Sequence, residues 1–280
     1  MSTVRRILVI GDDLAPSNWL REAPSLRGCE VKAVLGEADA LRNLRKQAFD
    51  VVLTNPNTAV GKDLALLEEM HLIRPGIRTL VLAPAATAEE IISALRAKVF
   101  ACFTQPLAKE EIVAMTARAL EDVNWRDGID VLSAQPDWIA LRVSCRLMTA
   151  ERLVRFMTEL RSDLSDPEKS NLITAFREIL LNAIEHGAGF DSEKVVEVSA
   201  VRTERAIVYH FRDPGPGFQR EAVPHAAIAN PPQDPLRHVE HRVSQGLRPG
   251  GFGILIATQL VDELRYNEAG NEVLLIKHTQ

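Results

Sequence analysis

Glu178, Asn182 and His186 recur at intervals of four in the stretch Ala-Phe-Arg-Glu-Ile-Leu-Leu-Asn-Ala-Ile-Glu-His-Gly, residues 175–187. On an α-helix, residues four apart stack on one face. Phe176, Ile179, Leu180, Ala183 and Ile184 then cover the opposite face, so this spacing predicts a packed helix with one polar stripe turned to a site. A carboxylate one turn before a carboxamide suits phosphoryl transfer. The carboxylate can orient a nucleophile or take its proton, and the amide oxygen can hold a magnesium ion. The same stripe also fits an ordinary amphipathic helix, so it needs company.

Three further pieces follow it. Asp213-Pro-Gly-Pro-Gly-Phe218 comes directly after an apolar run. Gly215 and Gly217 let the backbone turn sharply and approach a ligand. Asp213 is placed to accept a hydrogen bond from an exocyclic amine such as adenine carries, and a plain proline-glycine turn is the alternative. Arg248-Pro-Gly-Gly-Phe-Gly253 opens a helix whose bare N–H groups form a phosphate cradle around Gly251, Phe252 and Gly253. It is not a GxxxxGK[ST] loop. Asn271, in Gly270-Asn-Glu-Val273, can hydrogen-bond near the base or close a tight turn.

The elements that must position these residues are legible around them. Residues 138–145 read as a strand, 149–164 as a helix, and 167–186 as the helix of the polar stripe, stopped by Gly187. Residues 194–201 and 206–212 form a hairpin, 253–264 a helix and 272–278 a last strand. Strands with helices on one side make a two-layer α/β sandwich. Between the second and third pieces, 219–249 holds five prolines and reads as a lid. Its His225, His238 and His241 match no metal spacing. Arg237, Arg242 and Arg248 are candidate phosphate or partner contacts.

The first half differs. Apolar runs at 6–10, 30–35, 50–54, 79–83 and 100–104 alternate with helical stretches at 16–25, 37–47, 62–73, 88–98 and 109–121. Continuous apolar strands predict a parallel sheet covered on both faces, a doubly wound (βα)5 domain over 1–123. Residues 124–137 read as a short linker, with Gly128 as a helix stop, and 138–280 as the second domain.

Composition is that of a folded soluble protein: 280 residues, 46% hydrophobic, 25% charged, formal net charge -5. That charge gives no global attraction to nucleic acid or anionic lipid, and no apolar run reaches a membrane span, so neither is expected as a partner. Cys29, Cys102 and Cys145 are far apart and odd in number, which predicts free thiols in a cytoplasmic protein.

Together, the pieces resemble the N, G1 and G2 boxes of the ATPase fold shared by gyrase, the Hsp90 chaperones, histidine kinases and mismatch-repair ATPases. Glu178-x-x-x-Asn182-Ala-x-x-His186-Gly187 with Arg212-Asp-x-Gly-Pro-Gly217 looks most like the anti-sigma-factor serine kinases of partner-switching systems. The resemblance covers about 138–280. It implies ATP and magnesium as cofactors, Glu178 as catalytic base, Asn182 as magnesium ligand and Asp213 as adenine contact. It also implies Gly215, Gly217, Gly251 and Gly253 as backbone approaches to the nucleotide. His186 fits the pattern as a nucleotide-site residue or as a helix cap. The implied substrate is a STAS-type anti-sigma-factor antagonist, with a sigma factor as second partner and a homodimer as the assembly. The alternative is a non-catalytic, ATP-gated binding regulator. A sensor histidine kinase is disfavoured because 124–170 contains no histidine to accept a phosphoryl group.

The first half resembles the receiver domain of response regulators, on Asp12-Asp13 after the first strand and Gln105-Pro106 after the fifth. It departs where that family does its chemistry. Asn55 stands at the phosphorylated aspartate, Ala83 at the hydroxyl position and Gln105 at the lysine. A carboxamide cannot form an acyl phosphate, and glutamine cannot pair with a phosphoryl charge. Asp12 and Asp13 can still attract a cation, or Asp13 caps the following helix. The expectation is a pseudo-receiver used for dimerisation, docking or intramolecular control.

Overall fold

The computed structural model describes residues 4–121, 126–160, 163–217 and 252–279. The chain divides into two compact units, with the main boundary between Asp127 and Gly128.

In the first unit, five parallel strands, β1 (Arg6–Ile10), β2 (Glu30–Val34), β3 (Val51–Leu53), β4 (Arg78–Ala83) and β5 (Ala101–Thr104), lie in the order β2-β1-β3-β4-β5. That is the doubly wound order of flavodoxin and CheY. The inner strands are apolar through their middles, after Arg6 in β1 and Arg78-Thr79 in β4, and Ile7, Leu8, Val51, Val52, Leu53, Leu80, Val81 and Leu82 are closed to solvent. A strand buried on both faces cannot alternate, which is why these runs read as continuous. The helices are α1 (Ala15–Glu22), α2 (Glu37–Lys46), α3 (Val60–Ile73), α4 (Ala88–Arg96) and α5 (Lys109–Glu121), with a short 3-10 turn at Pro24–Leu26. Helix α4 starts on a reciprocal cap: Glu90 N donates to Thr87 Oγ1 at 3.2 Å and Thr87 N to Glu90 Oε2 at 2.9 Å.

The second unit is an antiparallel sheet of six strands in the order β10-β11-β9-β8-β7-β6. They are β6 (Ile129–Gln135), β7 (Trp138–Ser144), β8 (Val195–Arg202), β9 (Ala206–Arg212), β10 (Glu263–Tyr266) and β11 (Glu272–His278). Alternate residues point one way: Ile139, Leu141 and Val143; Val196 and Val198; Ile207, Tyr209 and Phe211; Val273 and Leu275 are all buried. The helices are α6 (Leu147–Glu159), α7 (Asp166–Asn182) and α8 (Gly253–Leu260). Phe176 of α7 meets Tyr209 at 4.8 Å and Phe211 at 5.0 Å between ring centroids, which pins the helix to β9. The start of α7 is fixed by Ser165, whose Oγ donates to Glu168 Oε2 at 2.6 Å, with Pro167 in the first turn.

Four sequence expectations are corrected. Part of the expected linker is β6, which pairs with β7. Its alternation is broken by a register shift between Val131 and Ser133, which hid the strand pattern. The expected helix 253–264 ends at Leu260, and its last residues belong to β10, held by pairing with β11. The helix expected at 149–164 runs Leu147–Glu159. Finally, α7 is α-helical only to Asn182, and Ala183–Gly187 forms a π turn.

Candidate nucleotide site in the second unit

Helix α7 buries Leu172, Ala175, Phe176, Ile179 and Leu180, leaving Glu178 and Asn182 half-buried on another face. That face meets the first residue of α8. A β-carbon placed on Gly253 would stand 2.9 Å from Glu178 Oε2, 3.3 Å from Asn182 Nδ2 and 3.4 Å from Asn182 Oδ1. A side chain at this position would push the end of Glu178 away from the helix start, and glycine lets it stay. Glu178 Oε1 also accepts a hydrogen bond from Arg177 Nη1 at 3.2 Å, a neighbour that sequence reasoning passed over. Phe252 precedes α8, and Ile256 N donates to its carbonyl at 2.8 Å. Arg248 and Gly251 lie outside the described residues, as does the expected lid with His225, His238, His241, Arg237 and Arg242.

The π turn after α7 carries the chain to Gly187, whose Cα faces the Asp213 side chain so closely that an added β-carbon would overlap it. His186, in that turn, is exposed and does not share the half-buried setting of Glu178 and Asn182. Asp213 Oδ1 accepts from Gly215 N at 2.8 Å, and a β-carbon on Gly215 would stand 2.7 Å from the carbonyl oxygen of Gly187. Burial pushes the Asp213 acid above the usual carboxylate range, and the Gly215 N–H opposes that rise. Behind it, burial pushes the Cys145 thiol up to about 11, reinforced by Asp191 and Asp213 and opposed by Lys194. Cys145 is therefore a neutral packing group, in keeping with its being a free cysteine.

Asn271 comes to this corner as a brace. Its Nδ2 donates to Gly215 O at 3.3 Å, its Oδ1 accepts from Asn267 Nδ2 at 2.9 Å, and its carbonyl accepts from Asp213 N at 3.0 Å. Asn267 Oδ1 in turn accepts from Gly270 N at 2.7 Å, making the turn that delivers Asn271. Gly217, at φ +82°, has the Ala269 carbonyl where a side chain would be. The last turns of α7 thus present a carboxylate-carboxamide pair, and the π turn that follows brings Gly187 against the backbone-lined Asp213 carboxyl after β9. Among the described residues no group of three or more His, Cys, Asp or Glu could hold a metal alone.

The first unit places its altered residues together. Asp13 Oδ1 accepts from Ala15 N at 2.8 Å, an Asx turn just ahead of α1; the N-cap residue is Leu14, without a side-chain cap, so Asp13 does not cap the helix as expected. Asn55 packs against Gly11, which has φ +131°, and its Oδ1 accepts from Asn57 N at 3.0 Å. Gln105 Nε2 donates to the Pro56 carbonyl at 3.5 Å, and Ala83 is buried. Two of the three substituted positions, Asn55 and Gln105, make hydrogen bonds to the loop between β3 and α3.

Residues 143–277 match the family described as the histidine kinase-like ATPase domain. The second unit is thus an ATPase domain of that family, which implies ATP binding, joined to a first unit with the doubly wound receiver topology. The transcriptional regulatory protein ZraR of Escherichia coli (strain K12) is 28% identical over 116 residues, 41% of this chain and 26% of ZraR. Its namesake in Salmonella typhimurium is 27% identical over 114 residues. The match therefore spans about a quarter of the length of these relatives. Among solved structures, a CheY-like response regulator receiver domain protein from Methanospirillum hungatei JF-1 is 22% identical with TM-score 0.38, over 43% of this chain and 96% of the other. The non-phosphorylated HemR receiver domain of Leptospira biflexa is 20% identical with TM-score 0.39, over 44% and 98%. No helix among the described residues is long and apolar enough to cross a membrane.

Proposed function

We propose that this protein is an ATP-dependent serine/threonine kinase of a partner-switching system, acting on a STAS-type anti-sigma-factor antagonist. A sigma factor is the second partner, the working unit is a homodimer, and the receiver-like half exerts control without being phosphorylated. The observation that carries this reading is the approach of Gly253 to Glu178 and Asn182. It brings a carboxylate and a carboxamide to the amino end of α8, where free N–H groups would bind phosphates.

ATP would lie along α7. Gly187 lies nine positions after Glu178, the first four along α7 at the helical rise of ~1.5 Å per residue and the rest in the π turn. Asp213, braced by Gly215 and faced by Gly187, would take the adenine amine at one end. Asn182 Oδ1 suits magnesium, which prefers one or two protein oxygens together with phosphates and water. The serine or threonine hydroxyl attacks the γ-phosphorus as its proton passes to Glu178. The bond to the bridging oxygen breaks and ADP departs. Such transfer depends mostly on positioning and charge stabilisation.

The ATP-gated binding regulator is kept as a second reading because Arg177 already engages the Glu178 carboxylate. The test is incubation of the full chain with γ-labelled ATP, magnesium and each STAS protein of the source organism. Label on a STAS serine or threonine supports the kinase. ATP binding with no labelled partner supports the gated regulator.

A further inference from the structure

Asp63 of α3 is a carboxylic acid closed off from water, only 3% exposed. Its Oδ2 lies 2.6 Å from Oγ1 of Thr54, a buried residue immediately after β3. Thr54 Oγ1 also accepts the N–H of Leu82 in β4 at 3.0 Å, and lies 3.3 Å from the Leu82 carbonyl oxygen. The threonine hydroxyl has one hydrogen and two acceptor positions. If Asp63 carries a proton, it donates to Thr54 Oγ1, and the Thr54 hydrogen goes to the Leu82 carbonyl. The acid hydrogen, the Thr54 hydroxyl, and the N–H and carbonyl of Leu82 are then all satisfied. If Asp63 is ionised, the Thr54 hydrogen turns to Asp63, the Leu82 carbonyl loses it, and a charge stands in the interior.

We propose that the Thr54–Asp63 contact is a proton-operated latch in the receiver-like half. Protonated, Asp63 donates to Thr54 and leaves the Thr54 hydrogen on the Leu82 carbonyl, linking α3 through Thr54 to β4; when the proton leaves, Thr54 turns to the carboxylate, the link to the Leu82 carbonyl is lost, and the buried charge loosens the segment. Its position gives it leverage. Asn55, the next residue, starts the loop to α3 and holds Asn57 N there, Gln105 donates to Pro56 of the same loop, and neither Asn55 nor Gln105 titrates. Asp63 does, in the physiological range: burial pushes its acid up to about 7, Thr54 opposes that, Glu37 adds to it and Lys62 opposes it. Glu37 comes from α2 and Lys62 from α3 itself, and they pair with each other at 3.1 Å on the surface. β3 contributes the Thr54 hydroxyl and β4 the backbone of Leu82. A half whose residues cannot take a phosphoryl group is thus built to respond to protons at the same loop.

The test uses the full chain. Carboxyl-carbon NMR of aspartate-labelled wild type follows the Asp63 titration directly, and hydrogen exchange at about pH 5.5 and pH 8.5, corrected for intrinsic rates, follows α3 and the loop before it. The expected result is an Asp63 midpoint near 7 and roughly tenfold faster corrected exchange of that segment at the higher pH. In Asp63→Asn, whose carboxamide donates to Thr54 at every pH, the acceleration disappears. An Asp63 midpoint in the ordinary carboxylate range, or the same acceleration in Asp63→Asn, overturns the latch. If Asp63→Asn does not fold, the wild-type titration alone decides.

Discussion

Replacing Gly253 by alanine separates positioning from folding. The new methyl would stand 2.9 Å from Glu178 Oε2, whereas carbon contacts settle at ~3.5 Å or beyond, so it intrudes by roughly 0.6 Å. The obstruction is the end of a flexible side chain, and a change of rotamer relieves it at about 0.5–1.5 kcal/mol. Alanine returns up to ~1 kcal/mol of helix propensity, so net stability should stay within about 1 kcal/mol of wild type. The carboxylate, however, is driven from the start of α8 by about that intrusion or more. Misplacing a reacting group by ~1 Å costs on the order of a hundredfold in rate. Transfer to the partner should therefore fall about a hundredfold, while ATP affinity falls by roughly tenfold or less because the α8 N–H groups remain. Labelled-ATP transfer, calorimetry and thermal melting read the three quantities. A Gly253→Ala protein that folds and transfers at the wild-type rate would refute the placement of Glu178.

Three other expectations concern named residues. Asp213→Ala should weaken ATP binding about tenfold or more by calorimetry, the scale of a lost hydrogen bond to a charged group. Unchanged affinity in a folded variant would remove Asp213 from the adenine site. Small phosphodonors or a sensor kinase should leave no stoichiometric, acid-labile adduct within 1–123, because Asn55, Ala83 and Gln105 supply none of the needed groups; mass spectrometry detects one if it forms. For Asp63, the folded-state acid is raised, so its stabilising contribution is complete below about 3.8 and lost as pH rises through about 7. At 1.36 kcal/mol per pH unit the loss is on the order of 4 kcal/mol. Urea unfolding of the first unit should show wild type losing stability across that window and Asp63→Asn remaining nearly flat.

Much of this architecture is legible in local sequence. The inner strands of the first unit are closed on both faces, so their composition alone marks them, and β9 and α5 carry the same boundaries in sequence and structure. Gly253 meets Glu178 and Asn182, and Asp213 meets Gly187, at positions that local rules mark: a helix face, a turn after a strand, a helix start. What escaped notice depends on distant partners. β10 is four residues, Glu-Leu-Arg-Tyr, that are a strand because β11 pairs with them. β6 lost its alternation to a bulge. The π turn that carries Gly187 to Asp213 has no local signature, since its extra residue is accommodated by packing. Asn271 braces the Asp213 turn, a task set by Asn267 and Gly215. The buried Thr54–Asp63 contact was invisible because neither residue type reveals burial by itself.

The central claim is that Glu178 serves transfer and not nucleotide binding. The most direct measurement compares wild type with Glu178→Gln, reading ATP affinity by calorimetry and labelling of the STAS partner in the same preparation. The substitution keeps the side chain's shape and removes its charge. ATP affinity should stay within a few-fold, while labelling slows by roughly a hundredfold or more, the scale of a general base. A wild-type protein that binds ATP and labels no STAS partner, with Glu178→Gln behaving identically, would contradict the kinase and leave the ATP-gated regulator.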